Sequence, residues 1–168
     1  KSLSKRDFSR VINPLKNFGA NFYQSKKSSL PLYIQGTKYV RPIKYFETRG
    51  SAQCKSSVML AALNTPGKTL IKAKKSRDHT EILFKQLKIP IKIKKKKNFD
   101  LIEVEGLKQF DAFEYIIPGD ISSSAFFIVL TILSNNSRIR IKNINVNKSR
   151  IGIITILKKM NCKINLKK

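Results

Sequence analysis

A helix ending and passing into a strand is written three times along this chain, and that repetition constrains its fold more than any other feature. The segments are LKNFGANF at residues 15–22, FKQLKIPI at 84–91 and LKKMNCKI at 157–164. Each closes an apolar helical stripe, turns at Gly19, Lys88 or Asn161, and resumes with an apolar or small residue. The copies lie about 70 residues apart, longer than ordinary solenoid periods and enough for a module of several helices and strands. Short helix-to-strand loops, with strand pairs between the copies, predict an α/β layered fold.

Apolar spacing supplies the elements. Phe8, Val11, Ile12, Leu15 and Phe18 recur at helical steps and stop at Gly19, a C-cap signal. Pro14 inside that pattern is expected to split the helix or start a new turn. Further helices are expected at Ala52–Leu63, Asp78–Leu87, Ser122–Leu133 and Gly152–Met160. Strands are expected at Ala20–Tyr23, Leu32–Gln35, Tyr39–Lys44, Thr69–Ala73, Ile89–Ile93, Leu101–Val104, Phe113–Ile117, Arg138–Ile141 and Lys163–Leu166.

With 168 residues the chain has room for one compact domain or parts of two. It opens at Lys1 and closes on Lys167-Lys168, so it reads as a middle piece of a longer protein. An apolar fraction of 41% supports a core, and no apolar run approaches the roughly 20 residues that span a bilayer. Cys54 and Cys162 are far apart and suit no metal or redox motif, which agrees with a reducing cytoplasm. The net charge of +25 invites a nucleic-acid reading. Yet 27 of the basic residues are lysine and 8 are arginine, and the densest run, Lys92 to Lys97, has few aromatics beside it. Base readout favours arginine and stacking favours aromatics, so a solvated lysine-rich surface is the stronger reading.

Four polar clusters open helices: Ser2–Arg6, Gly50–Ser56, Ser76–Glu81 and Pro118–Ser123. Capping explains serine, threonine and aspartate at such places. Asp78 and Glu81 have the spacing of a capping box. Helix starts also bind anions through free N–H groups and the dipole, and Arg6 and Arg77 stand in two of the clusters. Several starts converging in space would hold a polyanion. The stretch RGSAQCKSS at 49–57 has nearly the spacing of a nucleotide-binding loop, but Cys54 replaces the glycine such a loop needs. It is better read as a helix start offering Ser51 and the neighbouring amides to a phosphate, with Lys55 a bystander one turn on. A Ser-His-Asp triad would have to use His79, the single histidine, but its place near a helix start suits an exposed or structural residue. Cys54 has no recognisable base partner, and neither is assigned a catalytic role.

Taken in order, these motifs resemble those of bacterial 3-phosphoshikimate 1-carboxyvinyltransferases, the EPSP synthases. SLSKRDFSRVINPLKNFGA at 2–20 is similar to the family's SLSKRPM-x-RV-x-x-PL-x-x-(M/F)GA, and LPLYIQG at 30–36 to LPL-x-I-x-G. GSAQCKS at 50–56 matches GSAQ-x-KS, and SRDHTE at 76–81 matches letter for letter. IPGDISSSAF at 117–126 is close to VPGD-x-SSAAF, and Asn147 to Gly152 fits N-x-x-R-x-G.

The resemblance implies two domains of three βαβαββ units each in the full enzyme. Residues 1–117 would then be the later part of the substrate-binding domain and 118–168 the start of the second. It implies transfer of the enolpyruvyl group from phosphoenolpyruvate to the 5-hydroxyl of shikimate 3-phosphate. That reaction needs no metal or organic cofactor and takes place in the cytoplasm, in an enzyme that is a monomer at full length and binds neither nucleic acid nor membrane. Carried over by position, Arg6 would bind phosphoenolpyruvate, Ser51 and Ala52 the shikimate 3-phosphate, and Gln53 its ring. Arg77 would contact the shikimate phosphate, and Asp120 would cap a helix or set hinge geometry. No catalytic residue is assigned within these residues, because the family's others lie outside them; the chain alone is expected to bind weakly and catalyse nothing. Two departures stand out. Asp7 replaces the family's proline and is expected to weaken the positive field of Arg6, and Lys88 and Asn161 replace junction glycines. The competing reading is a basic nucleic-acid-binding module on a related fold.

Overall fold

The structure, a computed structural model, describes residues 6–24 and 30–167. Ser2–Lys5 of the first polar cluster lie outside the described residues. The chain divides into two compact units, Lys1–Asp111 and Ala112–Lys168.

In the first unit the elements are α1 (Ser9–Phe18), β1 (Asn21–Gln24), β2 (Leu32–Gln35), β3 (Lys44–Glu47), α2 (Ala52–Leu63), β4 (Lys68–Lys74), α3 (His79–Gln86), β5 (Ile91–Lys95) and β6 (Phe99–Glu105). From β3 to β6 this is one complete βαβαββ unit, and α1-β1-β2 before it has the order in which such a unit ends. β1 and β2 form an antiparallel pair. The larger sheet has the order β3-β4-β6-β5, with β3 parallel to β4 and the other pairs antiparallel. Parallel neighbours need a crossover, and α2 supplies it.

β4 alternates strictly, burying Thr69, Ile71 and Ala73 and exposing Lys68, Leu70, Lys72 and Lys74. Its inward residues meet Val58, Met59 and Ala62 of α2, Phe84 of α3, and Ile102 and Val104 of β6 in one core. α2 packs on the sheet, and α1 packs against α2. The end of β6 comes so close to the end of α2 that a Cβ on Gly106 would run into the carbonyl oxygens of Ala62 and Thr65. There the Leu107 N–H donates to the Leu63 carbonyl at 2.8 Å, closing the helix end.

Several expectations are corrected. α1 runs unbroken through Pro14. The ring removes one N–H bond, to the carbonyl of the first-turn residue Arg10, and Pro14 is buried along with Ile12 and Phe18. Tyr39–Lys44 is not a strand; β3 starts at Lys44, beyond Pro42, which has no N–H for a ladder. β5 starts at Ile91 and not Ile89, because Ile89 belongs to the preceding turn and Pro90 cannot donate.

The second unit holds α4 (Ile121–Leu133) and α5 (Gly152–Lys159). The strands expected at Phe113–Ile117, Arg138–Ile141 and Lys163–Leu166 are absent from it. Strand-like alternation becomes a ladder only beside a partner, and among the described residues this unit has a single parallel bridge, Gly119 to Ile144. Phe126, Phe127, Leu130 and Leu133 of α4 are exposed.

The three repeated junctions have one geometry. Gly19, Lys88 and Asn161 have φ of 113°, 55° and 63°. Their N–H groups donate to Lys16, Lys85 and Lys158, and the next N–H groups, of Ala20, Ile89 and Cys162, reach back to Leu15, Phe84 and Leu157. These are Schellman closures, in which a left-handed residue satisfies the last helix carbonyls. Glycine adopts that backbone freely and asparagine tolerates it, whereas lysine is strained by about 1 kcal/mol. Lys88→Gly should therefore stabilise the chain by about 0.5–1 kcal/mol and raise its melting temperature by about 2–4 °C. Thermal unfolding followed by circular dichroism checks this, and an unchanged or lower midpoint refutes it.

Candidate substrate-binding site

Because β3 and β4 run parallel, in register from Lys44↔Leu70 to Glu47↔Ala73, their carboxyl ends lie at one edge of the sheet. Loop 48–51 leaves that edge to start α2, and loop 75–78 leaves it to start α3. Open sheets with parallel strands bind ligands there, where loops and helix starts gather. Ser51, Ala52, Gln53 and Arg77 are thus brought to one edge of one unit.

Glu47, the last residue of β3, organises the first loop. It is 2% exposed, and its carboxylate accepts the N–H groups of Arg49 at 2.9 Å, Gly50 at 2.6 Å and Ser51 at 3.0 Å. Ser51 then caps α2, its hydroxyl accepting the Cys54 N–H at 3.3 Å while its carbonyl accepts the Lys55 N–H. This narrows the expected anion cradle. The amides of residues 49–51 are turned to Glu47, and those of Ala52 and Gln53 remain as first-turn donors, with the positive helix end behind them. Ser51 and Ala52 are half-buried and Gln53 is exposed. Burial pushes the phenol of Tyr45, on the same strand, up to about 12, with Cys54 and Glu47 adding in that direction.

Lys55 is not the bystander expected from its position. It is 1% exposed, and its ammonium contacts Glu81 Oε1 at 2.5 Å and donates to the Arg77 carbonyl at 2.9 Å. Beside that contact, the hydroxyls of the adjoining residues Ser56 and Thr80 meet at 2.6 Å. The two helix starts are laced together by these contacts. The capping box expected of Asp78 and Glu81 does not form: Asp78 makes no side-chain cap bond, and Glu81 turns inward to the lysine. Arg77 itself is exposed, as is His79.

Arg6 is exposed just before α1. Its neighbour Asp7 accepts the Ser9 N–H at 2.8 Å and the Ser9 hydroxyl at 2.7 Å. Those two bonds hold the Asp7 carboxyl below its usual range, and the charges of Arg49 and Arg10 add to the effect. Asp7 therefore directs its charge onto the start of α1, and the field of Arg49 reaches it from the loop before Ser51.

Asp120 belongs to the second unit. It caps α4 by accepting the Ser122 N–H at 3.1 Å, and Arg150 donates to both Asp120 at 2.7 Å and the Ser122 hydroxyl at 2.6 Å. The PGD-x-SS and N-x-x-R-x-G motifs are thus in direct contact. Among the described residues no three His, Cys, Asp or Glu side chains converge to hold a metal ion, and no helix is long and apolar enough to cross a membrane. Sequence reasoning missed Glu47, gave no role to Arg150 within its motif, and misread Lys55 and Glu81. The usable signal was scarcity: in a chain of 35 basic and 10 acidic residues, an acid at the end of a strand or inside a helical turn has a specific partner.

The sequence pattern that defines EPSP synthase (3-phosphoshikimate 1-carboxyvinyltransferase) matches residues 1–168. The chain belongs to the EPSP synthase family. It is 39% identical to the 3-phosphoshikimate 1-carboxyvinyltransferase of Petrotoga mobilis and 40% identical to that of Caldicellulosiruptor bescii, in each case over 98% of this chain and 38% of the relative. The solved EPSP synthase of Acinetobacter baumannii superimposes with a TM-score of 0.80 at 32% identity, over 95% of this chain and 36% of that one. The chain thus spans little more than a third of the EPSP synthases it matches.

Two outcomes follow for this member of the family. Glu47→Gln leaves an amide that cannot accept at all the positions the carboxylate serves, so the chain should lose about 1–3 kcal/mol in urea unfolding. Asp120 has its pKa lowered, by the Ser122 N–H first and by Arg150 next. Its contribution is therefore present above the ordinary carboxylate value near pH 4 and is lost as pH falls through the lower folded value. Asp120→Asn should lower the urea midpoint at pH 7 and leave the midpoints of the two proteins closer together at pH 3; a gap that widens in acid refutes the assignment.

Proposed function

We propose that this chain supplies part of the substrate-binding machinery of an enolpyruvyl transferase, one that moves the enolpyruvyl group of phosphoenolpyruvate to the 5-hydroxyl of shikimate 3-phosphate. The observation that carries the reading is the gathering of Ser51, Ala52, Gln53 and Arg77 at the carboxyl ends of the parallel strands β3 and β4. In this reading Ser51, the Ala52 and Gln53 amides and Arg77 take the phosphate of shikimate 3-phosphate. Gln53 packs on the ring, and Arg6 holds phosphoenolpyruvate.

Both substrates are anions, and the transition state spreads charge that fixed donors stabilise once water is excluded. Proton delivery to the enol carbon and departure of phosphate fall to groups beyond these residues. Residues 1–117 then serve the substrate-binding domain and residues 118–168 begin the second, with Asp120 shaping the crossover. The complete protein acts in the cytoplasm as a monomer without a cofactor, and it binds neither nucleic acid nor membrane.

The test uses the complete protein that contains this chain. It should release phosphate from phosphoenolpyruvate only when shikimate 3-phosphate is present. Arg6→Ala and Gln53→Ala should each lower kcat/KM about 10- to 100-fold, the loss of a charge-assisted or buried polar contact. A protein that ignores both ligands yet binds duplex DNA with a steep salt dependence belongs to the nucleic-acid reading.

A further inference from the structure

The best-buried ion pair among the described residues is one the proposed chemistry does not use. Lys55 and Glu81 have side chains 2% and 4% exposed, and the ammonium also holds the main-chain oxygen of Arg77. Burying such a pair costs desolvation on both sides, and apolar residues of similar volume often serve stability as well or better. Glu81 is not even fully satisfied, since its second carboxylate oxygen has no hydrogen-bond partner. What an ammonium provides that a methionine cannot is a directed donor to the Arg77 carbonyl.

We propose that Lys55 is a positioning residue: it anchors the Arg77 backbone to the first turn of α2, so that the exposed Arg77 guanidinium stands beside the Ser51-Ala52-Gln53 helix start. The geometry is economical. Lys55 lies one turn after Ser51, so its ammonium is tied through the helix to the residues that cap it. Glu81 lies in the first turn of α3 and fixes the ammonium from the other side. The Ser56–Thr80 hydroxyl contact holds the helices together but touches neither Arg77 nor Ser51. Lys55 itself is buried and reaches the ligand only through Arg77. The inference rests on the reading of Arg77 as a phosphate-binding group, and its test separates the two.

Lys55→Met alone leaves Glu81 buried without its partner and is expected to unfold much of the chain. The informative protein is the double variant Lys55→Met/Glu81→Met, which removes both charges and keeps the volume. It should melt within a few degrees of the parent, and the core around Phe84 and Ile71 should be unchanged. Backbone order parameters of residues 76–78, from 15N relaxation, should fall from about 0.85 to about 0.6. The dissociation constant for shikimate 3-phosphate of the complete protein carrying the same two substitutions, read by titration calorimetry, should rise at least tenfold. Order parameters that stay at parent values overturn the inference, and so does parent-like affinity in the double variant. If the complete parent protein ignores shikimate 3-phosphate altogether, the functional reading falls, and the order parameters alone decide whether Lys55 anchors the Arg77 backbone.

Discussion

The parallel pairing of β3 with β4 is the constraint on which the rest of the first unit depends. Two parallel strands cannot be joined by a hairpin, so α2 must cross over the sheet to connect them. That crossover buries Val58, Met59 and Ala62 against Ile71, Ala73, Ile102 and Val104 and so creates the core. It also puts the ends of both strands, and the starts of α2 and α3, at the same edge. The core and the candidate site are therefore products of one topological choice. The antiparallel β5–β6 pair, which needs no crossover, extends the sheet away from that edge without adding a helix start to it.

Charge is distributed in keeping with this. In a chain of net charge +25, acids are scarce, and those placed inside or at helix starts are spent on structure. Glu47 takes three loop amides, Glu81 takes Lys55, Asp100 takes Lys75, and Asp120 takes a helix start with Arg150. Even Asp7, next to Arg6, turns its carboxylate to Ser9. Under the proposed reading, an anion approaching the strand ends would meet helix starts and arginine whose neighbouring carboxylates are already engaged. The lysine surplus, by contrast, sits on exposed faces such as the outer side of the sheet, where Lys72 lies over the rings of Phe46 and Phe99. It raises the general positive field around the sheet.

What was legible in the residues followed the range of each signal. α2 was read as Ala52–Leu63, as it stands, because its cap, its apolar run and its Asn-Thr-Pro-Gly stop are all local. The family motifs were legible for the same reason, as short strings of unusual residues in order. Lys55, Glu81 and Glu47 were not, because each acts across 22 to 26 residues or through backbone amides, and no local pattern encodes which lysine faces inward. The capping-box spacing of Asp78 and Glu81 misled in the same way: a tertiary partner outbid the local one. β3 was displaced because apolar alternation says nothing about which N–H groups exist, and Pro42 removes one.

The second unit separates the two kinds of signal within one segment of chain. Asn161 completes its Schellman closure, with both backbone bonds, as fully as Gly19 does in the first unit. Asp120 caps α4 and recruits Arg150. Yet the strand-patterned segments around these helices join no ladder, the single bridge among this unit's described residues lies outside them at Gly119 and Ile144, and the phenylalanines of α4 stay exposed. Helix ends are closed by residues within five positions, so they form wherever their sequence occurs. A ladder and an apolar helix face instead require surface contributed from elsewhere in sequence, and exposed large side chains such as Phe126 and Leu133 mark where that surface would fit. Repetition of a junction therefore reports the architecture of the family even in a segment whose sheet is not built. That is why the triple turn was the most constraining feature of the sequence, and why it left the contacts between distant residues open.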